Sequence, residues 1–149
     1  MIRKFLLVDD DEDDTELFLE ALRNIDSNIQ IHTLHNCREV HAELKGGKFD
    51  PEIIFLDINM PDMNGWECLS ALKSDADLKD IPVVMYSTSS VNLDGKKALN
   101  KGAVCFLEKP SSYLKLKEFL ERITTASKDK LDLALRKIEA EKTHRLMVA

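Results

Sequence analysis

Four short stretches of this sequence end in residues that could do chemistry together. Asp9-Asp10-Asp11 follow the apolar run Phe5-Leu6-Leu7-Val8, and Asp57 follows Ile53-Ile54-Phe55-Leu56. Ser87-Thr88 close Val83-Val84-Met85-Tyr86, and Glu108-Lys109-Pro110 close Val104-Cys105-Phe106-Leu107. Carboxylates brought to one place repel each other, which raises the cost of ionising all of them. A hard divalent cation such as Mg²⁺ removes that cost and takes oxygen ligands, waters and a phosphate oxygen. Beside it Asp57 is suited to act as a nucleophile toward a phosphoryl donor. Lys109 would neutralise the phosphoryl oxygens and Ser87 would donate a hydrogen bond to them. Each piece alone reads more plainly. Acids after a strand suit a helix N-terminus, as Asp11, Asp13 and Asp14 are expected to do, and Ser89 or Ser90 is expected to cap a later helix. A single Asp at a strand end, or a Lys-Pro, is an ordinary turn. The joint order is what points to a site.

The elements that must position these residues are legible. Each of the four runs is continuous and rich in β-branched or aromatic residues, as strands buried on both faces of a parallel sheet are. A fifth candidate, Ile29 to Leu34, mixes polar and apolar residues and reads as a strand nearer an edge. Helical faces lie between the runs: Phe18, Ala21, Leu22 and Ile25; Val40 and Leu44; Trp66, Leu69 and Leu72; Leu116, Leu120 and Ile123. The fourth helix, around Val91 to Lys101, carries Gly95 inside it. Gly46-Gly47, Asp50-Pro51, Pro61, Asn64-Gly65, Asp80-Ile81-Pro82 and Gly102 punctuate the turns. Strand–helix alternation repeated in this way predicts an α/β doubly wound sheet with right-handed crossovers. In such a sheet the C-terminal strand ends converge at the edge where ligands bind, so the acids, the hydroxyl and the ammonium should meet there.

The totals bound the rest. The chain has 149 residues, enough for one domain and a short appendage. A net charge of -6 argues against binding nucleic acid by bulk charge. Cys37, Cys68 and Cys105 are odd in number and far apart, so neither a disulfide framework nor a zinc site is expected, and Cys105 reads as core filler. The expectation is a reducing compartment, hence the cytoplasm. The apolar start of the chain is too short for a signal peptide, and no run is long enough to span a membrane. His32, His35, His41 and His144 show no ligand spacing. Residues 1–125 should form the domain. Residues 126–149 read as a C-terminal helical extension with a narrow stripe of Leu131, Ala134, Leu135 and Ile138, docked on the last helix or making a dimer or partner contact.

These residues give the sequence its resemblance to the response-regulator receiver domains of two-component signalling, the CheY-like domains, from about Arg3 to Thr125. The matching stretches are Leu-Val-Asp-Asp at 7–10, Leu-Asp-Ile-Asn-Met-Pro-Asp-Met-Asn-Gly at 56–65, Met-Tyr-Ser-Thr at 85–88 and Lys109-Pro110. The resemblance implies a flavodoxin-like sheet of five parallel strands in the order 2-1-3-4-5, which is the standard example for this fold. It implies Asp57 as phosphoacceptor, Asp10 as direct metal ligand, Asp9 acting through water and the Asn59 carbonyl completing the Mg²⁺ ligands. Ser87 stands for the family's phosphate-contacting Thr or Ser, Lys109 for its phosphate-pairing lysine and Phe106 for its switch aromatic, although plain core packing is a rival reading of a Phe there. Helix 4, strand 5 and helix 5 would form the output face, which Gly95 should loosen.

The implied function is a stand-alone response regulator, not a turnover enzyme. It would receive a phosphoryl group from a histidine kinase or phosphotransfer protein and signal by contact with a downstream protein target, with neither nucleic acid nor membrane as partner and with a homodimer possible. The alternatives are a phosphorelay intermediate without its own output and an aspartyl-phosphate-forming hydrolase. Asn59 counts against the hydrolase, because haloacid-dehalogenase-like phosphatases carry an acid/base Asp there. A nucleotide- or flavin-binding module lacks its GxGxxG or P-loop.

Overall fold

The computed structural model describes residues 1–60 and 63–149. Residues 61 and 62, inside the 56–65 motif, lie outside the described residues. Strands β1 (Lys4–Val8), β2 (Gln30–Leu34), β3 (Ile53–Leu56), β4 (Val83–Ser87) and β5 (Cys105–Glu108) alternate with helices α1 (Glu12–Ile25), α2 (Arg38–Lys45), α3 (Gly65–Ser74), α4 (Val91–Asn100) and α5 (Tyr113–Thr125). A turn of 3₁₀ helix at Lys128–Lys130 leads into α6 (Leu131–Glu141) and β6 (Leu146–Val148).

The first five strands are parallel in the order β2-β1-β3-β4-β5. Successive side chains of a strand face opposite sides, so each apolar run feeds two cores. Phe5, Leu7, Phe55, Val84, Tyr86 and Leu107 pack under α1 and α5. Leu6, Val8, Ile54, Leu56, Met85 and Phe106 pack under α2, α3 and α4. Burying both faces is why these strands are continuous apolar runs, whereas edge strand β2 is half polar.

Two expectations are corrected. The sheet has six strands, because β6 adds antiparallel to β5, pairing Cys105 with Val148 and Leu107 with Leu146. Residues 126–149 therefore form a helix followed by a strand, and Leu131, Leu135, Ile138 and Leu146 join the core under α5. A three-residue strand flanked by charge has no period to read, so only pairing with β5 defines it. Gly95 has a matching role: a side chain on it would meet Met147 Sδ at 2.9 Å, so the glycine lets β6 lie close to α4. The second correction is a disulfide joining Cys37, at the start of α2, to Cys68, in the first turn of α3. The two cysteines are 31 residues apart in sequence but 5.8 Å apart at Cα, a proximity that only tertiary packing creates. The pairing removes one ground for expecting a reducing compartment. Cys105 is free and buried, as expected.

Candidate functional site

Strand register brings the acids together. Val8 pairs with Leu56, so the next residues, Asp9 and Asp57, stand on adjacent strand ends. Their backbones continue the ladder: the Asp57 amide donates to the Val8 carbonyl at 2.9 Å and the Asp9 amide to the Leu34 carbonyl at 3.0 Å. Ser87 pairs with Glu108, and the Lys109 amide donates to the Ser87 carbonyl at 2.7 Å. Four strand ends thus deliver Asp9, Asp57, Ser87 and Lys109 to one edge of the sheet.

The loop after β3 is held by close backbone approach. The Gly65 amide donates to the Ile58 carbonyl at 2.7 Å. A Cβ on Gly65 would collide with the Asp57 carbonyl oxygen and lie 2.7 Å from Ile58 Cα. Asn64 caps α3 by accepting from the Glu67 amide at 3.0 Å. Asn59 is exposed in this loop, two residues beyond Asp57.

Asp9, Asp57 and Ser87 are buried, whereas Asp10 is exposed. One carboxylate oxygen from each of Asp9, Asp10 and Asp57 lies within 4.8 Å of the others. The Lys109 ammonium is 2.8 Å from Asp9 Oδ2 and 3.6 Å from Asp57 Oδ2. Burial pushes the Asp57 carboxyl up to about 7; the Lys109 charge pulls it down by less, and the Asp9 charge pushes it up again. Burial alone would lower the Lys109 ammonium, but its hydrogen bond to Asp14 and the close Asp9 and Asp57 carboxylates reverse the sign and hold it protonated. The Ser87 hydroxyl oxygen accepts from the Ser89 amide at 3.2 Å. Phe106 is fully buried among the residues under α4, on the opposite face of the sheet from Tyr86. Ser90, rather than Ser89, caps α4, accepting from the Asn92 amide at 3.1 Å.

Asp14 stands in the first turn of α1, as expected of an acid at a helix N-terminus, and has a second role that was not expected. Asp11 caps α1 through the Asp14 amide at 3.0 Å, while the Asp14 carboxylate accepts from Lys109 Nζ at 2.7 Å. A signal for this was present in the sequence. Asp14 lies one turn before Phe18 on the helix face that carries Ala21 and Ile25, and a carboxylate facing a core needs a cation.

The residues suit a hard cation. Among the described residues, Asp9 Oδ2 is the buried side-chain oxygen or nitrogen left without a hydrogen bond, although it faces the Lys109 ammonium. All the carboxylate donors are oxygens, as Mg²⁺ requires. Among the described residues, no helix is long and apolar enough to cross a membrane.

A doubly wound parallel sheet with acids and a lysine gathered at its C-terminal edge defines a class of α/β switch and ligand-binding domains. Residues 5–121 match the family profile of the response regulator receiver domain, and the chain belongs to that family. It is 33% identical over 141 residues to a protein-glutamate methylesterase/protein-glutamine glutaminase of Rhodospirillum rubrum, spanning 87% of this chain but only 36% of that protein. It is 30% identical over 122 residues to the probable methanogenesis regulatory protein FilR2 of Methanothrix harundinacea, spanning 79% of each. Among solved structures, the phosphorylated cyanobacterial phytochrome response regulator RcpA matches with a TM-score of 0.76 at 31% identity, over 85% of this chain and 98% of that one. The Mn²⁺-bound response regulator Rcp1 matches with a TM-score of 0.73 at 28% identity, over 84% of this chain and 97% of that one.

Proposed function

We propose that the chain is a two-component response regulator whose Asp57 accepts a phosphoryl group from the phosphohistidine of a histidine kinase or phosphotransfer protein. The observation that carries this reading is the meeting of the Asp9, Asp10 and Asp57 carboxylates beside the Lys109 ammonium. An ionised Asp57 oxygen attacks phosphorus, the phosphorus–nitrogen bond breaks, and the imidazole leaves with the bonding pair. Lys109 then pairs with the phosphoryl oxygens, and the Ser87 hydroxyl donates to one of them. Asp9, Asp10, Asp57 and the Asn59 carbonyl would hold Mg²⁺, which supplies charge neutralisation at the acidic oxygens and the incoming phosphoryl group.

The reaction modifies the chain itself, so it acts as a switch and not as a turnover enzyme. Its output is contact with a downstream protein. The face of α4, β5 and α5 expected to carry the output includes β6, which covers the β5 edge and meets α4 through Met147. Phe106 of β5, in the core cluster that includes Ala98 of α4, is the switch aromatic of this reading.

Incubation with Mg²⁺ and acetyl phosphate, followed by intact mass measurement, tests the proposal. The parent should gain the mass of one phosphoryl group and Asp57→Asn none. An equal adduct on Asp57→Asn would move the acceptor elsewhere, and no adduct on either would remove the chemistry.

A further inference from the structure

Lys109 is held by one more carboxylate than phosphoryl transfer to Asp57 requires. Its Nζ lies 2.7 Å from Asp14 Oδ2 and 2.8 Å from Asp9 Oδ2, but 3.6 Å from Asp57 Oδ2. The Tyr86 ring, 5.4 Å from the same nitrogen, closes another side of the ammonium. The Lys109 side chain is 8% exposed and that of Asp14 32%, so water screens this ion pair from the Asp14 side. Asp14 is placed by built structure. Asp11 accepts from the Asp14 amide at 3.0 Å, and the Thr15 hydroxyl donates to the Asp11 carbonyl at 2.9 Å. The neighbouring acids Asp11, Glu12 and Asp13 are exposed, and Asp14 alone of these four acids is half-buried.

We infer that Asp14 is a positioning residue that holds the Lys109 ammonium off Asp57 in the resting state. The inference rests on the reading of Asp57 as phosphoacceptor. An ammonium has three protons to give. A phosphoryl group on Asp57 adds oxygens that compete for them, and Asp14, which stands on α1 instead of a strand end and can turn its partly exposed carboxylate to water, is the partner released. No bond is made or broken at Lys109, which keeps its proton throughout. The lost Asp14 contact opposes the phosphorylated state, so Asp14 biases the switch toward rest.

Fluoroberyllate, which caps carboxylates in the shape of a phosphoryl group, measures the bias in Mg²⁺ buffer by calorimetric titration. Asp14→Asn should bind it about three- to tenfold more tightly than the parent, less than a fully buried charge-assisted hydrogen bond would give because the Asp14 carboxylate is partly exposed. Asp13→Asn, with the same change in net charge but at an exposed position, should stay within about twofold, as an exposed charge screened by water would. A parallel denaturation cycle on Asp14→Asn and Lys109→Met, without ligand, should be non-additive. Equal affinity for the parent and Asp14→Asn, equal gains for Asp13→Asn and Asp14→Asn, or an additive cycle would each overturn the inference alone. A parent that binds no fluoroberyllate would overturn the Asp57 reading itself, and this inference with it.

Discussion

At the scale of single residues, the site stores electrostatic cost in the resting protein. Asp57 titrates at about 7 when folded against 3.8 for an ordinary carboxyl, because burial and the neighbouring Asp9 charge outweigh Lys109. Between those pH values the folded chain holds a proton that the unfolded chain has lost, so stability falls as pH rises through that window. In Mg²⁺-free buffer, Asp57→Asn should leave stability unchanged below the lower value and raise it increasingly toward the upper one. Urea denaturation of both proteins across that pH range checks this; a gap that does not widen with pH would contradict it. Gly65 carries a different constraint. Gly65→Ala drives a Cβ into the Asp57 backbone, which unlike a flexible side chain tip cannot step aside. It should cost about 1–3 kcal/mol in denaturation and slow acetyl phosphate labelling of Asp57.

At the scale of elements, the C-terminal helix and strand are structural members of the sheet. Leu135 is fully buried in the cluster that holds Phe119 and Leu120 of α5. Leu135→Ala should therefore cost about 2–5 kcal/mol, the range for core leucines. A surface appendage would lose within about 0.5 kcal/mol on the same change. The denaturation midpoint separates the two. β6 also covers what would be an open strand edge on β5, and such edges invite pairing with other chains. Gly95 lowers the helix propensity of α4, but its missing side chain is the space into which Met147 fits.

At the scale of the whole molecule, two cores on opposite faces of one sheet leave the C-terminal strand ends as the place where polar groups can gather. The Cys37–Cys68 disulfide ties α2 to α3 within one of those layers. A cross-link closing 31 residues should stabilise the fold by about 4 kcal/mol, chiefly by restricting the unfolded chain. Reduction by dithiothreitol should lower the urea midpoint accordingly, and a thiol label under denaturing conditions should count one cysteine before reduction and three after. Three labels before reduction would show that the pair does not form.

The sequence by itself determined the parallel strands, since runs buried on both faces have no polar alternative, and it determined the Asp9, Asp57, Ser87 and Lys109 positions at their ends. Those readings depend on periodicity and chain order, which are local. Tertiary structure alone decided the pairing of β6 with β5, the Cys37–Cys68 link and the hold of Asp14 on Lys109. Each joins groups that are remote in the chain, Asp14 and Lys109 by 95 residues, and local pattern carries no distance between such partners.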